Sequence, residues 1–295
     1  MRLRILLKHS KTLTYLYPKY VRVKTKLRLW WMAHTEKPIT EDMLVDQLGR
    51  LGIAPGDKIM VHSAGSKIGM IEGGPDALVR ALKRYVTPEG LIVMPSFPHR
   101  GMYEYLEHYE MFDVNNTPSK NGAITECFRT SKGVVRSAHP THPLCAWGRG
   151  ATELVKGHEL CKRPFGQGSP FAKILEQDVK ILLIGVNLDH VTMTRVIEDL
   201  YDGYEIEPYI PNKIYTVDVK LASGEIIKVE TPCHDPDFFG KERNNMRFYP
   251  YIKGAIIFGK LGHATTWLFS SKYMYEQQLA CVKKGIYGFN HYRYK

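Results

Sequence analysis

The sequence predicts an α/β fold in which helices cover a central sheet. Short apolar runs alternate along the chain with segments in which apolar residues recur at helical spacing. The best of these runs, such as residues 179–186, are apolar throughout, which is typical of strands buried on both faces. The chain has 295 residues, of which 44% are hydrophobic and 24% charged, a composition that suits a globular protein with a sizeable core.

The first predicted elements are a helix, a strand, a second helix and a second strand. Residues 40–51 predict a helix with Thr40 as its N-cap and apolar residues on one face. Residues 58–62 and 91–94 are short apolar strands. Between them, a Gly-Gly-Pro run at 73–75 begins a helix, because proline is well tolerated in the first turn.

The rest of the chain continues this alternation. Further helices are predicted at 122–129, 150–156, 171–175, 191–200 and 264–278. Further strands are predicted at 179–186, 214–221, 225–229 and 255–258. The second and third of these strands form a hairpin around Ser223 and Gly224. No linker-like composition divides the chain after residue 31, so we expect a single domain over residues 32–295.

The basic residues are concentrated at the beginning of the chain. The formal net charge is +11, but residues 1–31 hold nine cations and no acid, which leaves +2 for the other 264 residues. This basic N-terminal arm ends in Trp30 and Trp31, and cations beside interfacial aromatics suit an anionic lipid surface. A solvated arm, or an arm packed on a second copy in a homo-oligomer, is the other interpretation. We expect no nucleic-acid partner, because no nucleic-acid motif accompanies the basic stretch.

The cysteines and the apolar runs indicate a cytoplasmic protein. Five cysteines at wide spacing include no CxxC pair, which argues for a reducing compartment. No apolar run approaches the roughly 20 residues that span a bilayer, so membrane contact through the arm would be peripheral, at the inner face. His139, His142, His158 and Cys161 could suit zinc as an HxxH plus HxxC set, but intervening prolines disfavour a helical arrangement, and we expect no metal.

Three segments of the chain carry a resemblance to a known family. They read VHSAGSKIGMIEGGPDAL at 61–78, RSAHPTHPLCAWGRGA at 136–151, and GQGSPFAKILEQDVKILLIGVNLDHVTMTRVIE at 166–198. In order and spacing they resemble the aminoglycoside 3-N-acetyltransferase family. That family's pattern includes an HSS-type loop after a strand, a GGP helix start, an RS-x-HPTHS-type segment, a GxxSP step and a T-x-x-H-x-x-E run. The match extends from about Thr40 to the helix after Gly262.

The resemblance implies an enzyme that transfers an acyl group from acetyl-CoA, or another acyl-CoA, to an amine. It also implies the α/β/α layered sandwich of that family, which is distinct from the GNAT acetyltransferase fold. The implied CoA-binding residues are His62, Ser63, Ala64, Lys67, Gly73, Gly74, Arg136 and Ser137. A loop that leads into a helix N-terminus suits a phosphate or an oxyanion, and Lys67 and Arg136 could add charge-assisted contacts to the CoA phosphates.

The chain departs from the family pattern at the catalytic position. The family's expected base is the histidine of the T-x-x-H-x-x-E run, and the glutamate orients it. The corresponding residues here are Thr192, Arg195 and Glu198, so an arginine occupies the histidine position. A guanidinium stays protonated at working pH and cannot act as a general base.

Three explanations of this departure stay open. The base can be another histidine: His190 at the strand end, or His142 or His139 in the HPTH segment. Alternatively, the acceptor amine has a low pKa and reacts without a base. In the third explanation the chain has lost acyl transfer and only binds CoA or another ligand.

The sequence also limits the acceptor. The candidate acceptor contacts are Asp189, Asp202 and His139. An aminoglycoside is a polycation and needs carboxylates, which are present, so an antibiotic-resistance enzyme is one interpretation. An anionic amino sugar, such as one carried on a nucleotide diphosphate, would tolerate Arg195 better. We therefore favour an N-acyltransferase acting on an amino sugar or related small amine, in surface polysaccharide or secondary metabolite synthesis.

Overall fold

The computed structural model describes residues 37–109, 111–236 and 242–291, and before them 19–20, 23–27, 30–31 and 34–35. The predicted basic arm, residues 1–31, lies mostly outside these residues, and its membrane contact stays a prediction. The single domain over 32–295 and the homo-oligomer likewise stay predictions. None of the described helices is both long enough and apolar enough to cross a lipid bilayer.

The described residues form strands and α-helices that alternate along the chain. The strands are β1 (Lys58–Ser63), β2 (Leu91–Pro95), β3 (Phe112–Asp113), β4 (Val135–Arg136), β5 (Leu144–Gly148), β6 (Lys180–Ile184), β7 (Tyr209–Lys220), β8 (Ile226–His234), β9 (Ile257–Leu261) and β10 (Ala264–Ser270). The α-helices are α1 (Glu41–Arg50), α2 (Gly65–Ile68), α3 (Gly74–Val86), α4 (Met102–His108), α5 (Ala123–Thr130), α6 (Ala151–Val155), α7 (Pro170–Glu176), α8 (Val196–Leu200), α9 (Tyr249–Ile252) and α10 (Ser271–Val282).

The central sheet has seven strands in the order β4-β5-β2-β1-β6-β10-β9. Its middle strands β2, β1 and β6 run parallel, with Met60 opposite Val93 on one side and Ile181 on the other. The strands outside this core pair antiparallel with their neighbours. Because the three middle strands are parallel, the loops that follow them meet at one edge of the sheet.

Helices cover both faces of this sheet. Alternate residues of β1 point to opposite faces, so Val61 packs with α1, α3 and α5, while Met60 packs with α6, α7, α8 and α10. All strand residues from Leu91 to Met94 are at most 1% exposed, as expected of a strand covered on both sides. The predicted α/β/α layered sandwich is therefore confirmed.

A second, smaller sheet has the order β3-β7-β8. Its main part is the predicted hairpin, and Gly224 lies in the turn with a φ of 93°, a conformation that side chains other than glycine's rarely adopt. Phe112 of β3 lies opposite Val219, and these residues form a separate apolar cluster with Val217 and Val229.

The prediction of a helix over 264–278 is wrong in its first half. Residues Ala264–Ser270 form β10, which pairs antiparallel with both β6 and β9. The helix α10 begins only at Ser271, with the Ser270 hydroxyl accepting a hydrogen bond from the Tyr273 N–H. The physical reason is that Thr265, Thr266 and Trp267 favour a strand when a neighbouring strand offers a partner. The sequence interpretation also missed α4 and the β4–β5 hairpin.

Candidate active site

Two adjoining cavities lie beside the loops that follow the parallel strands. Cavity A has a volume of about 330 Å³ and cavity B about 450 Å³, and both are lined by Ser63 and Asn121. The polar residues that line cavity A are His62, Ser63, His99, Arg100, Lys120, Asn121, Thr125, Asp189, His190, Thr192, Arg195 and Asn245. Open α/β sheets bind their ligands in this position, outside the carboxyl ends of the strands.

Cavity B has a mainly apolar lining. Its wall is formed by the loop between β1 and α3 and by the first residues of α5. The lining residues are Ser63, Ala64, Gly65, Ser66, Gly69, Met70, Ile71, Gly74, Pro75, Asn121, Gly122, Ala123 and Ile124. Gly73 and Gly74 adopt φ angles of 78° and 65°, which allow the chain to turn sharply into α3.

The predicted CoA-binding residues of the β1–α3 loop occupy different places. Ala64 and Gly74 line cavity B, whereas His62 lines cavity A. Gly73 is the N-cap of α3, next to cavity B. Lys67 lines a third cavity and donates its Nζ hydrogen bond to the carbonyl of Gly185, at 2.5 Å.

Arg136 and Ser137 line neither cavity A nor cavity B. The buried Arg136 guanidinium donates to the carbonyls of Ser96 and Thr117, at 2.5 and 2.6 Å, and lies over the ring of Phe112. Burial lowers its pKa to about 10, so it remains protonated at neutral pH. The Ser137 hydroxyl accepts from the Leu144 N–H at 2.9 Å. These contacts hold the β4–β5 hairpin and leave both residues away from the cavities.

Arg195 lies in the wall of cavity A. It belongs to a 3-10 turn, Thr192–Arg195, which precedes the short helix α8. Its Nη1 donates to Nε2 of His142 at 3.1 Å, and its guanidinium lies 5.7 Å from the ring centre of Phe165. Burial lowers its pKa to about 10, so the guanidinium is a cation at neutral pH. Thr192 also lines cavity A.

His142 and His139 lie behind this wall and line neither cavity. Both are fully buried, and burial lowers both pKa values well below the usual value. Because Arg195 can only donate, Nε2 of His142 is the acceptor, and Nδ1 carries the hydrogen toward the Thr141 hydroxyl at 2.9 Å. His142 therefore orients Arg195.

Glu198 lies in α8, behind Arg195, and does not line cavity A. Its Oε1 forms an ion pair with Nη2 of Arg243 at 2.5 Å, and both side chains are almost fully buried. Burial raises the pKa of Glu198, and the Arg243 cation opposes this rise.

His62 and His190 are the predicted histidines that line cavity A. His62 is 7% exposed and its Nε2 has no hydrogen-bond partner in the described structure. Burial lowers its pKa to about 3, so this imidazole is neutral. His190 is exposed, and its Nδ1 lies 3.1 Å from Oδ1 of Asn187. That contact orients the imidazole toward a defined tautomer.

His99, Arg100 and Lys120 line cavity A although the sequence interpretation did not select them. Nε2 of His99 donates to the Thr141 carbonyl at 2.9 Å, because a carbonyl oxygen can only accept. Its Nδ1 is buried and has no partner in the described structure, and burial lowers the pKa to about 4. His99 and Arg100 lie in the loop that follows β2, and the position after a parallel strand was the signal that could have identified them.

Of the two predicted acidic acceptor contacts, one lines cavity A and the other does not. Asp189 lines cavity A, and its carboxylate accepts from the Asn245 N–H at 2.9 Å. Asp202 is exposed in the turn after α8 and lines neither cavity.

Within the described residues, no group of three or more His, Cys, Asp or Glu side chains is arranged to hold a metal ion.

Comparison with known proteins identifies the family. The family model described as aminoglycoside 3-N-acetyltransferase matches residues 60–282. The chain belongs to this family. The aminoglycoside N(3')-acetyltransferase-like protein YokD of Bacillus subtilis is 32% identical over 181 residues, which cover 56% of this chain and 66% of YokD. The chain thus spans just under two thirds of the length of that curated relative.

Two solved structures of similar proteins extend the comparison. A structure described as AAC-IIIb binary with CoASH is 26% identical, with a TM-score of 0.70, over 85% of this chain and 98% of that one. A structure described as AAC-VIa bound to sisomicin has the same identity of 26% and TM-score of 0.70, over 85% of this chain and 99% of that one. Both likenesses agree with the α/β/α sandwich of this aminoglycoside 3-N-acetyltransferase family member.

Proposed function

We propose that this protein is an N-acetyltransferase that transfers the acetyl group of acetyl-CoA to the amine of a small molecule. The observation that carries the proposal is the meeting of an apolar cavity and a polar cavity at Ser63 and Asn121. Cavity B suits the largely neutral pantetheine arm, and cavity A suits a polar acceptor. The similarity to a structure that holds CoASH supports the same assignment.

The reaction requires one bond to form and one to break. The acceptor nitrogen attacks the thioester carbonyl carbon, the new C–N bond forms, and the C–S bond breaks to release the CoA thiol. The amine must lose a proton, and a positioned imidazole can take it. We assign this role to His190, because it is exposed at cavity A and its Nδ1 contacts Asn187. His142 orients Arg195 instead.

Two acceptor classes follow from different observations. The relative bound to sisomicin favours an aminoglycoside, and so does the name of the family. The cationic lining of cavity A favours an amino sugar or related amine that carries an acidic group. Both classes react by the same N-acetyl transfer.

Thiol release from acetyl-CoA tests the proposal. Purified protein is incubated with acetyl-CoA and either sisomicin or an amino sugar, and free thiol and the N-acetylated product are measured. We expect thiol and product in equal amounts with at least one acceptor. CoA binding without thiol release from any amine would contradict the proposal and favour a protein that only binds its ligands.

A further inference from the structure

We infer that the acceptor of cavity A carries an anionic group, a phosphate or a carboxylate, which binds to the cations Arg100, Lys120 and Arg195. The inference rests on the proposed function and defines its substrate class. It differs from the polycationic substrate that the family name suggests.

The charges that line cavity A carry the inference. Among the described lining residues, Arg100, Lys120 and Arg195 are cations and Asp189 is the one carboxylate. That carboxylate already accepts the Asn245 N–H at 2.9 Å and holds two segments of the wall together. The lining therefore has a net positive charge, and low-dielectric walls focus its field on a bound anion.

The loops that carry two of these cations are tied to each other. The backbone N–H of Lys120 donates to the carbonyl of Phe97 at 2.8 Å. The backbone N–H of Phe97 donates in return to Oδ1 of Asn121 at 2.5 Å. Because Arg100 follows Phe97 by three residues, these two bonds keep Arg100 and Lys120 on the same rim of cavity A.

Arg195 supplies the third cation from a deeper position. His142 fixes its guanidinium by accepting from Nη1, and Phe165 lies under the same group. A planar guanidinium matches the geometry of phosphate and carboxylate oxygens. Bulk salt screens a partly buried cation less than an exposed one, so Arg195 attracts an anion strongly.

Buried polar nitrogens also point to a ligand in cavity A. His62 and His99 line the cavity, and Nε2 of His62 and Nδ1 of His99 are buried and have no hydrogen-bond partner in the described structure. Buried polar atoms in proteins usually have a partner. Hydroxyl groups of a bound sugar would supply partners for both nitrogens while its anionic group contacts the cations.

Binding measured without acetyl-CoA tests the inference separately from the acetyl transfer. The probes are glucosamine, which has no anionic group, glucosamine 6-phosphate, which has a phosphate, glucosaminic acid, which has a carboxylate, and the polycation sisomicin. We expect at least one anionic probe to bind about 10-fold or more tightly than glucosamine in calorimetry. The phosphate and carboxylate probes then identify which anion the cavity prefers.

Variants locate the effect in cavity A. Arg100→Gln and Lys120→Gln should each weaken binding of the preferred anionic probe about 10-fold and leave glucosamine binding unchanged. Lys260→Gln, which changes an exposed cation on β9 outside the cavity, is the matched control and should have no effect.

Three results would overturn the inference. Glucosamine could bind as tightly as both anionic probes, or sisomicin could bind more tightly than each anionic probe. The third is that Arg100→Gln and Lys120→Gln weaken the binding of all probes equally. If anion-dependent binding is present but acetyl-CoA releases no thiol with any acceptor, the proposed reaction fails while the anion site stands.

Discussion

The sequence predicts that Arg195 takes the position of a histidine in the family pattern, and the surroundings of Arg195 show what an arginine does at this place in the fold. The sequence alone shows that Arg195 cannot take a proton. Only the folded chain shows that His142 accepts from its guanidinium and that Glu198 is ion-paired with Arg243. The arginine is therefore a cation held at the cavity wall, and the proton must go elsewhere.

Matched substitutions of two histidines separate a base from a positioning residue. His190→Gln should lower kcat about 100-fold or more, because glutamine cannot take the amine proton. His142→Gln keeps an acceptor for Arg195, so it should change kcat little, whereas His142→Leu should raise the acceptor KM about 10-fold. The measurement is kcat and KM for each variant, with His108→Gln, a change of an exposed histidine at the end of α4, as control. A large loss of kcat in His142→Gln, with His190→Gln fully active, would reverse these roles.

At the level of helices and strands, the sequence correctly predicted those elements whose structure depends on residues close to them along the chain. Thr40 caps α1 and Gly73 precedes α3, because capping and glycine turns depend on neighbours along the chain. Residues 264–270 could not be predicted in this way, because their strand depends on pairing with β6 and β9. The β4–β5 hairpin was missed for the same reason, since β5 is ordered by β2.

Some residues of the candidate site could be identified from the sequence, and others only from the folded chain. Residues of the family motifs, such as His62, Ser63 and Arg195, could be selected from the sequence because the motifs mark them. The motifs could not show that Arg136 is turned toward backbone carbonyls of neighbouring loops, away from both cavities. Arg100 and Lys120 belong to no motif, and hydrogen bonds that form only in the folded chain, such as those around Phe97, bring their loops together.

At the scale of the whole molecule, buried neutral histidines make stability depend on pH. The histidines whose pKa values are lowered mainly by burial are His62, His99, His139, His142, His158 and His234. Below pH 6.5 the unfolded chain binds protons that the folded chain does not bind at these positions. Stability is therefore lost as pH falls from about 6.5 toward about 3.

The free energy of unfolding should fall steeply between pH 7.5 and 5.5. Each of His62, His99 and His158, whose pKa values are lowered to about 3 or 4, costs about 1.4 kcal/mol at pH 5.5, and the other buried histidines act in the same direction. Asp199 acts in the opposite direction, because burial raises its pKa to about 7. The buried Asp199 carboxyl lowers the free energy of unfolding as pH rises through about 4 to 7. Lowering the pH from 7.5 to 5.5 therefore restores about 2 kcal/mol of that free energy.

Urea unfolding at the two pH values measures this net loss, and we expect a lower free energy of unfolding at pH 5.5 than at pH 7.5. His139→Asn should reduce the difference, because it removes one of the buried imidazoles. Equal stability at both pH values would show that these imidazoles are not buried in the neutral form.

An electron-density map of crystals of this protein soaked with CoA would show whether cavity B holds the pantetheine arm. We predict that the pantetheine arm lies in cavity B and that its sulfur reaches the junction at Ser63 and Asn121, facing His190 across cavity A. CoA bound with its sulfur away from that junction, or no CoA in cavity B at a saturating concentration, would contradict the assignment of cavity B to CoA and cavity A to the acceptor.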